Sequence, residues 1–130
     1  AAHLTRATLQ SLAFQTRDVL EAMQKDAAIQ LKELKVDGGA VRNDFLMQFQ
    51  SDLLQTPVLR GTINETTALG AALLAGLAVG FWDNRQQALA DLKLDRRFEP
   101  QRSRPEADRL YRRWQRAVEC CCRFHPDEEE

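Results

Sequence analysis

A diglycine turn is the part of this 130-residue sequence whose residue types best suit binding chemistry. Gly38 and Gly39 follow the short apolar run 34–36, and Asn43 stands where a helix is expected to begin. Free backbone N–H groups at a helix N-terminus attract phosphate, and glycines let a ligand approach the backbone closely. The same residues suit an ordinary strand-to-helix turn in which Asn43 only caps the helix. The spacing fits neither the Rossmann nor the P-loop pattern. The residues alone therefore favour the plain turn and leave the phosphate cradle open.

The carboxylates near this turn are not expected to catalyse. Asp37 ends a strand, Asp44 suits the positive end of a helix dipole, and Asp52 is expected to be a solvated helix residue. A general base needs placed partners, and none can be identified. We therefore assign no catalytic residue to this chain.

The remaining groups of reactive side chains predict neither a metal site nor a nucleic-acid or membrane surface. A zinc site uses about four ligands at recognisable spacing, whereas residues 120–122 are three consecutive cysteines with only His125 nearby. Four arginines give the last predicted helix a basic face, but acidic neighbours favour a solvated face. These arginines are Arg109, Arg112, Arg113 and Arg116.

The composition is that of a globular chain without a strong charge. There are 18 Lys and Arg against 19 Asp and Glu, a formal net charge of −1. This balance argues against a general nucleic-acid binder, because such domains are usually basic. The odd number of cysteines and the lack of a visible signal peptide favour a cytoplasmic location. The longest uncharged apolar stretch, residues 68–82, is shorter than the roughly 20 residues that span a bilayer.

The hydrophobic periodicity predicts the elements that must position the turn. The order is helix, strand, helix, strand and helix, followed by two more helices. The predicted helices span 4–25, 43–54, 65–79, 85–92 and 105–123, and the predicted strands span 34–36 and 57–60. A strand–helix–strand unit implies a right-handed crossover and parallel strands.

Two of these helices carry more specific expectations. The predicted apolar stripe of the first helix consists of Leu9, Leu12, Thr16, Val19 and Met23. The helix over 65–79 is apolar nearly all round and is expected to be covered on several sides.

Two short strands do not make a stable sheet alone. The sequence is therefore expected to hold the end of an α/β domain without its beginning.

Long words of this sequence resemble the C-terminal part of glycerol kinases, which are members of the FGGY carbohydrate-kinase family. The stretches are TRATLQSLAFQTRDVLEAMQ, LKVDGGAVRNDFLMQFQSDLL and NETTALGAALLAGLAVGFW. The resemblance implies a partial ribonuclease-H-like (actin-like ATPase) α/β domain. It would have two parallel strands and flanking helices, with the first three antiparallel strands missing. Residues 1–83 would form its partial core, 84–124 its C-terminal helices and 125–130 an acidic tail.

The resemblance also gives the diglycine turn a role, because it matches the family's adenosine motif. Gly39 would contact the nucleotide phosphates through its backbone, and Asn43 would lie beside the adenosine. Gly38 and Ala40 would form the turn. The family uses ATP and Mg²⁺, and its catalytic base and glycerol-contacting residues lie upstream.

The resemblance implies the C-terminal, nucleotide-binding part of a kinase that phosphorylates glycerol to glycerol 3-phosphate. Its partners would be glycerol and ATP, without nucleic acid or membrane, and a homo-oligomer of the intact enzyme stays open. Two alternatives also stay open: a kinase for another polyol or sugar, and an inactive nucleotide-binding or structural fragment. The chain alone is expected to be inactive.

Overall fold

The computed structural model describes residues 1–63, 65–90 and 92–123. The helices are α1 (Ala2–Ala27), α2 (Asp44–Leu54), α3 (Thr66–Ala78), α4 (Arg85–Leu89) and α5 (Arg104–Cys122). The strands are β1 (Leu34–Val36), β2 (Val58–Gly61) and β3 (Leu94–Phe98), and a 3₁₀ turn, Gly39–Arg42, joins β1 to α2. The predicted acidic tail, 125–130, lies outside the described residues.

The strands form one mixed sheet in the order β1-β2-β3. β1 and β2 are parallel, with Leu34 opposite Val58, which confirms the predicted α/β class and its parallel pair. β3 runs antiparallel to β2, with Phe98 opposite Val58. This third strand was not predicted. The range 84–124, predicted as helices, therefore also contains a strand.

The core lies on the sheet face covered by α2, with α1 and α5 packed around that helix. α2 is buried on more than one side, since seven of its residues are buried. Phe14 of α1 packs edge-on against Phe49 of α2 and stacks on Trp114 of α5, with ring centroids 5.5 and 5.4 Å apart. The buried cluster consists of Ala13, Val41, Leu46, Met47, Phe49, Leu53, Val58, Phe98 and Tyr111.

The packed face of α1 differs from the predicted stripe. Ala13 is fully buried, and Leu9 and Phe14 pack against the core. The predicted stripe was wrong for three of its members, which stay 44–59% exposed: Leu12, Val19 and Met23. The aromatic ring of Phe14 has more apolar area to bury than these side chains, so it sets the orientation of the helix.

Polar contacts fix α5 to α1 beside this aromatic cluster. The Asp18 carboxylate accepts hydrogen bonds from the Tyr111 hydroxyl and from Trp114 Nε1, the latter at 2.9 Å. Arg17 Nη2 lies 2.8 Å from Asp108 Oδ1, and its guanidinium lies 4.1 Å from the centroid of the Tyr111 ring. Burial and the bond to Asp18 raise the pKa of Tyr111, which favours the protonated hydroxyl that donates this bond. The first and last helices are thereby held together by directed bonds as well as apolar packing.

Asp52 is buried, so its predicted role as a solvated residue was wrong. The residue is 5% exposed. Its Oδ1 accepts from the backbone N–H of Gln101 at 2.7 Å and from Gln48 Nε2 at 3.0 Å. Its Oδ2 lies 3.4 Å from the guanidinium of Arg102. This carboxylate thus supplies an acceptor for the backbone N–H groups of the segment between β3 and α5.

α3 is poorly covered in the described chain. None of its residues is buried, and Leu74 is 70% exposed, in contrast with the expected covering on several sides. The chain turns back after it, so that the Trp82 ring occupies the space a side chain at residue 76 would need. None of the described helices is both long enough and apolar enough to cross a membrane.

Candidate functional site

The diglycine turn lies at the carboxyl edge of the parallel strand pair. Parallel strands end at the same edge of a sheet, and open α/β sheets bind ligands in the crevice there. β1 runs into Asp37 and the turn, while β2 leads to α3. The hydroxyl of Thr66, at the start of α3, donates to the Asp37 carboxylate. A cleft of about 600 Å³ between β1, β2 and α3 is lined in part by these two side chains. The cleft thus reaches Asp37, the residue that precedes the two glycines.

Gly38 has a backbone conformation that other residues rarely adopt. Its φ is 87° and its ψ is 177°, a region that is essentially restricted to glycine. Its carbonyl accepts from the N–H of Val41 at 3.3 Å, which closes the 3₁₀ turn. The requirement for glycine at this position comes from the fold itself.

We expect Gly38→Ala to lower the free energy of unfolding by about 1–3 kcal/mol, because the methyl group penalises this backbone conformation. Urea unfolding monitored by circular dichroism measures the change. Gly70→Ala is the matched control, since Gly70 lies within α3 and a Cβ there would meet nothing within 4 Å. Alanine is the better helix former, so this control should not destabilise the chain. Equal effects of the two changes would contradict the assigned strain.

Gly39 has a different environment. A Cβ built at this position would meet no atom within 4 Å, and its φ lies outside the left-handed range. The fold therefore tolerates a side chain here, and a need for glycine would have to come from a ligand. The backbone N–H groups of Gly39 and Ala40 begin the 3₁₀ turn, where amides have no acceptor within the turn. Both residues are exposed.

Asn43 caps α2, as one of its two predicted roles required. Its Oδ1 accepts from the N–H of Leu46 at 3.1 Å, and its carbonyl accepts from the N–H of Met47 at 3.1 Å. Asn43 is exposed, as are Gly39 and Ala40. Capping occupies the side-chain oxygen, so the side-chain NH₂ group can still donate to a ligand. The cap and the ligand contact are thus compatible.

The structure adds Arg60 to the residues around the turn. Arg60 lies on β2, and its guanidinium reaches across to the segment between β1 and α2. Hydrogen bonds from Arg60 to Asp44 and Asp95 raise the pKa of its guanidinium and stabilise the charged form. Sequence analysis missed this residue because the partners are 16 and 35 positions away. The parallel pairing of β1 and β2 was predicted, but its register, which sets Arg60 beside Val36, comes from the structure.

The other candidate groups do not assemble into a site in the described part of the chain. Cys120, Cys121 and Cys122 are exposed, and His125 lies outside the described residues. Within the ranges 1–63, 65–90 and 92–123, no group of three or more His, Cys, Asp or Glu side chains could hold a metal ion.

Comparison with known proteins gives this geometry a family context. Residues 1–79 match the C-terminal domain of the FGGY family of carbohydrate kinases. The chain is 58% identical over 126 residues to a glycerol kinase of Stenotrophomonas maltophilia (strain K279a), covering 97% of this chain and 25% of that protein. It is also 58% identical over 122 residues to the glycerol kinase of Bacillus subtilis (strain 168), covering 94% of this chain and 25% of that protein. The chain therefore spans about a quarter of the length of these relatives.

Solved structures with the same fold include two sugar or polyol kinases. A Plasmodium falciparum glycerol kinase with ADP matches with a TM-score of 0.78 and 34% identity, over 90% of this chain and 24% of that one. A ligand-bound xylulose kinase from Lactobacillus acidophilus matches with a TM-score of 0.76 and 18% identity, over 92% of this chain and 24% of that one. The second likeness concerns the fold alone.

Proposed function

Because this chain belongs to the FGGY family of carbohydrate kinases, as part of its C-terminal domain, we propose that it is the nucleotide-binding part of a glycerol kinase. The complete enzyme would transfer the terminal phosphoryl group of ATP to a hydroxyl of glycerol, giving glycerol 3-phosphate and ADP. The proposal rests on the diglycine turn, where a Cβ at Gly39 would meet no atom within 4 Å. It rests also on the 34% identity of the chain to a glycerol kinase that was solved with ADP.

The turn has the features that a bound triphosphate needs. Gly38 supplies the reversal after β1, and the exposed N–H groups of Gly39 and Ala40 would donate to phosphate oxygens. The empty space at Gly39 would let the phosphates reach these amides. The side-chain amide of Asn43 would lie beside the adenosine. When bound, Mg²⁺ would offset the negative charge of the phosphates.

The near-neutral charge of the chain agrees with this mode of binding. Backbone amides carry no net charge, so phosphate recognition by the turn needs no concentration of lysine and arginine. The two carboxylates beside the turn both have side-chain partners among the described residues. Asp37 is bonded to Thr66, and Asp44 to Arg60 and Arg96. We propose that the catalytic base and the glycerol contacts lie in the three quarters of such kinases that this chain does not span.

A coupled assay of ADP release tests this function on the complete open reading frame that contains the chain. Glycerol, xylulose and gluconate are compared at a fixed concentration of MgATP. We expect the kcat/KM for glycerol to exceed the others by about a hundredfold, because a site built for one substrate leaves polar groups unpaired with another. A preference for xylulose or gluconate would contradict the assigned substrate while leaving the kinase class intact.

The 130-residue chain alone serves as the control in the same assay. It should give no turnover with any of these substrates. Turnover by this chain would show that a catalytic base lies within it and would overturn the proposed division of roles.

A further inference from the structure

We propose that Arg60 is a positioning residue for nucleotide binding, which holds the diglycine turn in the geometry that receives the phosphates. The inference rests on the proposed function. It adds a residue from β2 that would not touch the nucleotide itself but would fix the segment that does.

The contacts of Arg60 join three parts of the chain. Its Nη1 donates to the carbonyl of Val41 at 2.8 Å and to Asp44 Oδ1 at 2.8 Å. Its Nε donates to Asp95 Oδ2 at 2.6 Å. Its guanidinium lies 5.4 Å from the centroid of the Phe98 ring. One side chain of β2 thus ties the 3₁₀ turn and the start of α2 to β3.

Val41 connects Arg60 to the two glycines. Its side chain is buried in the core, while its N–H donates to the carbonyl of Gly38. Arg60 binds the carbonyl of the same residue. Val41 is therefore fixed by its side chain, its N–H and its carbonyl. Gly39 and Ala40 lie between Gly38 and Val41, so their position depends on this anchoring.

An arginine suits this position better than a lysine. The planar guanidinium donates in fixed directions, and here Nε and Nη1 serve acceptors on β3 and on the turn at the same time. Its side chain is only 13% exposed, which limits the conformations it can adopt. An ammonium group acts as a point charge and does not reproduce this set of directed bonds.

A structural ion pair at the surface would look similar but behave differently. Exposed ion pairs contribute little to stability, so such a pair would have no selective effect on one substrate. Asp44 and Asp95 are half exposed, and their pairing with Arg60 would fit that description. The bond to the Val41 carbonyl is the feature that separates the two roles, because it acts on the turn itself.

The test compares Arg60→Gln with Arg97→Gln in the complete open reading frame that contains the chain. Arg97 lies on β3 and pairs with Glu33 and Glu99 instead of the turn, so it is the matched control. We expect Arg60→Gln to raise the KM for ATP about tenfold, with the KM for glycerol changed less than about twofold. Arg97→Gln should leave both values unchanged. Unchanged KM for ATP in Arg60→Gln, or equal effects of both variants, would overturn the inference.

Arg60→Lys decides the question if Arg60→Gln does not fold. It keeps the charge and the aliphatic stem but loses the directed set of bonds, and we expect its KM for ATP to rise at least about threefold. A normal KM for ATP in this variant would overturn the inference. Gly39→Val is measured in parallel. If it does not change the KM for ATP, the proposed nucleotide site is wrong. If it does and the Arg60 variants do not, only the positioning role is wrong.

Discussion

An Asp52→Ala variant of this chain is expected to lose about 3 kcal/mol of its free energy of unfolding. The substitution removes a buried carboxylate and leaves the groups that donate hydrogen bonds to it without their acceptor. The carboxylate is 5% exposed and accepts from the N–H of Gln101 and from Gln48 Nε2. Removing it also leaves the guanidinium of Arg102 without its nearest carboxylate on α2. Urea unfolding followed by circular dichroism gives the free energy.

Two further variants show whether burial and bonding cause this loss. Asp52→Asn keeps an acceptor oxygen but loses the charge, so it should lie between the wild type and alanine. Asp26→Ala removes an exposed carboxylate of α1 and should change stability by less than about 0.5 kcal/mol. If Asp52→Ala were as mild as Asp26→Ala, the assigned network at the start of α5 would be wrong.

The comparison of sequence and structure separates local from non-local information. β1, α2 and β2 were predicted within one or two residues, since their apolar spacing and the glycines after β1 act within a few positions. β3 carries Asp95, Arg96 and Arg97 and buries only Phe98. Its pairing with β2 depends on partners more than 30 positions away. No pattern within the strand itself reports that pairing.

Helix faces and buried polar groups were harder to predict for the same reason. The spacing of apolar residues on α1 allowed more than one face, and Phe14 packing on Phe49 and Trp114 selected among them. Asp52 looks like any charged residue of an amphipathic helix until the segment between β3 and α5 folds against it. Burial of a carboxylate depends on partners, and these come from a distant segment.

The candidate site was predictable where it is contiguous in sequence. Gly38, Gly39, Ala40 and Asn43 lie within six positions, so the family motif identified them together. Arg60 could not be predicted from the sequence, because its contact with Val41 exists only when β2 lies beside β1. The structure also divides the roles of the glycines, which the motif treats as a pair. Gly38 is required by its backbone conformation, whereas the fold does not require glycine at residue 39.

That division makes Gly39→Val the sharpest test of the nucleotide site. In the protein encoded by the complete open reading frame, we expect the Kd for ATP to rise about a hundredfold or more, equivalent to about 2.8 kcal/mol. The branched side chain would fill the space through which the phosphates reach the amides of Gly39 and Ala40. The same space is empty in the fold, so the thermal unfolding temperature should stay nearly unchanged. Isothermal titration with MgATP and a thermal melt provide the two measurements.

Gly39→Ala and Gly38→Ala separate a clash with the ligand from strain in the backbone. Alanine at residue 39 is smaller than valine, so its effect on the Kd should be intermediate while the melt again stays unchanged. Alanine at residue 38 should lower the unfolding temperature, because its backbone conformation penalises any side chain. A ligand clash therefore shows as lost affinity without lost stability, and backbone strain as lost stability. If Gly39→Val bound ATP like the wild type, phosphate recognition would have to be assigned elsewhere. If it instead melted early, the lost affinity would report damage to the fold.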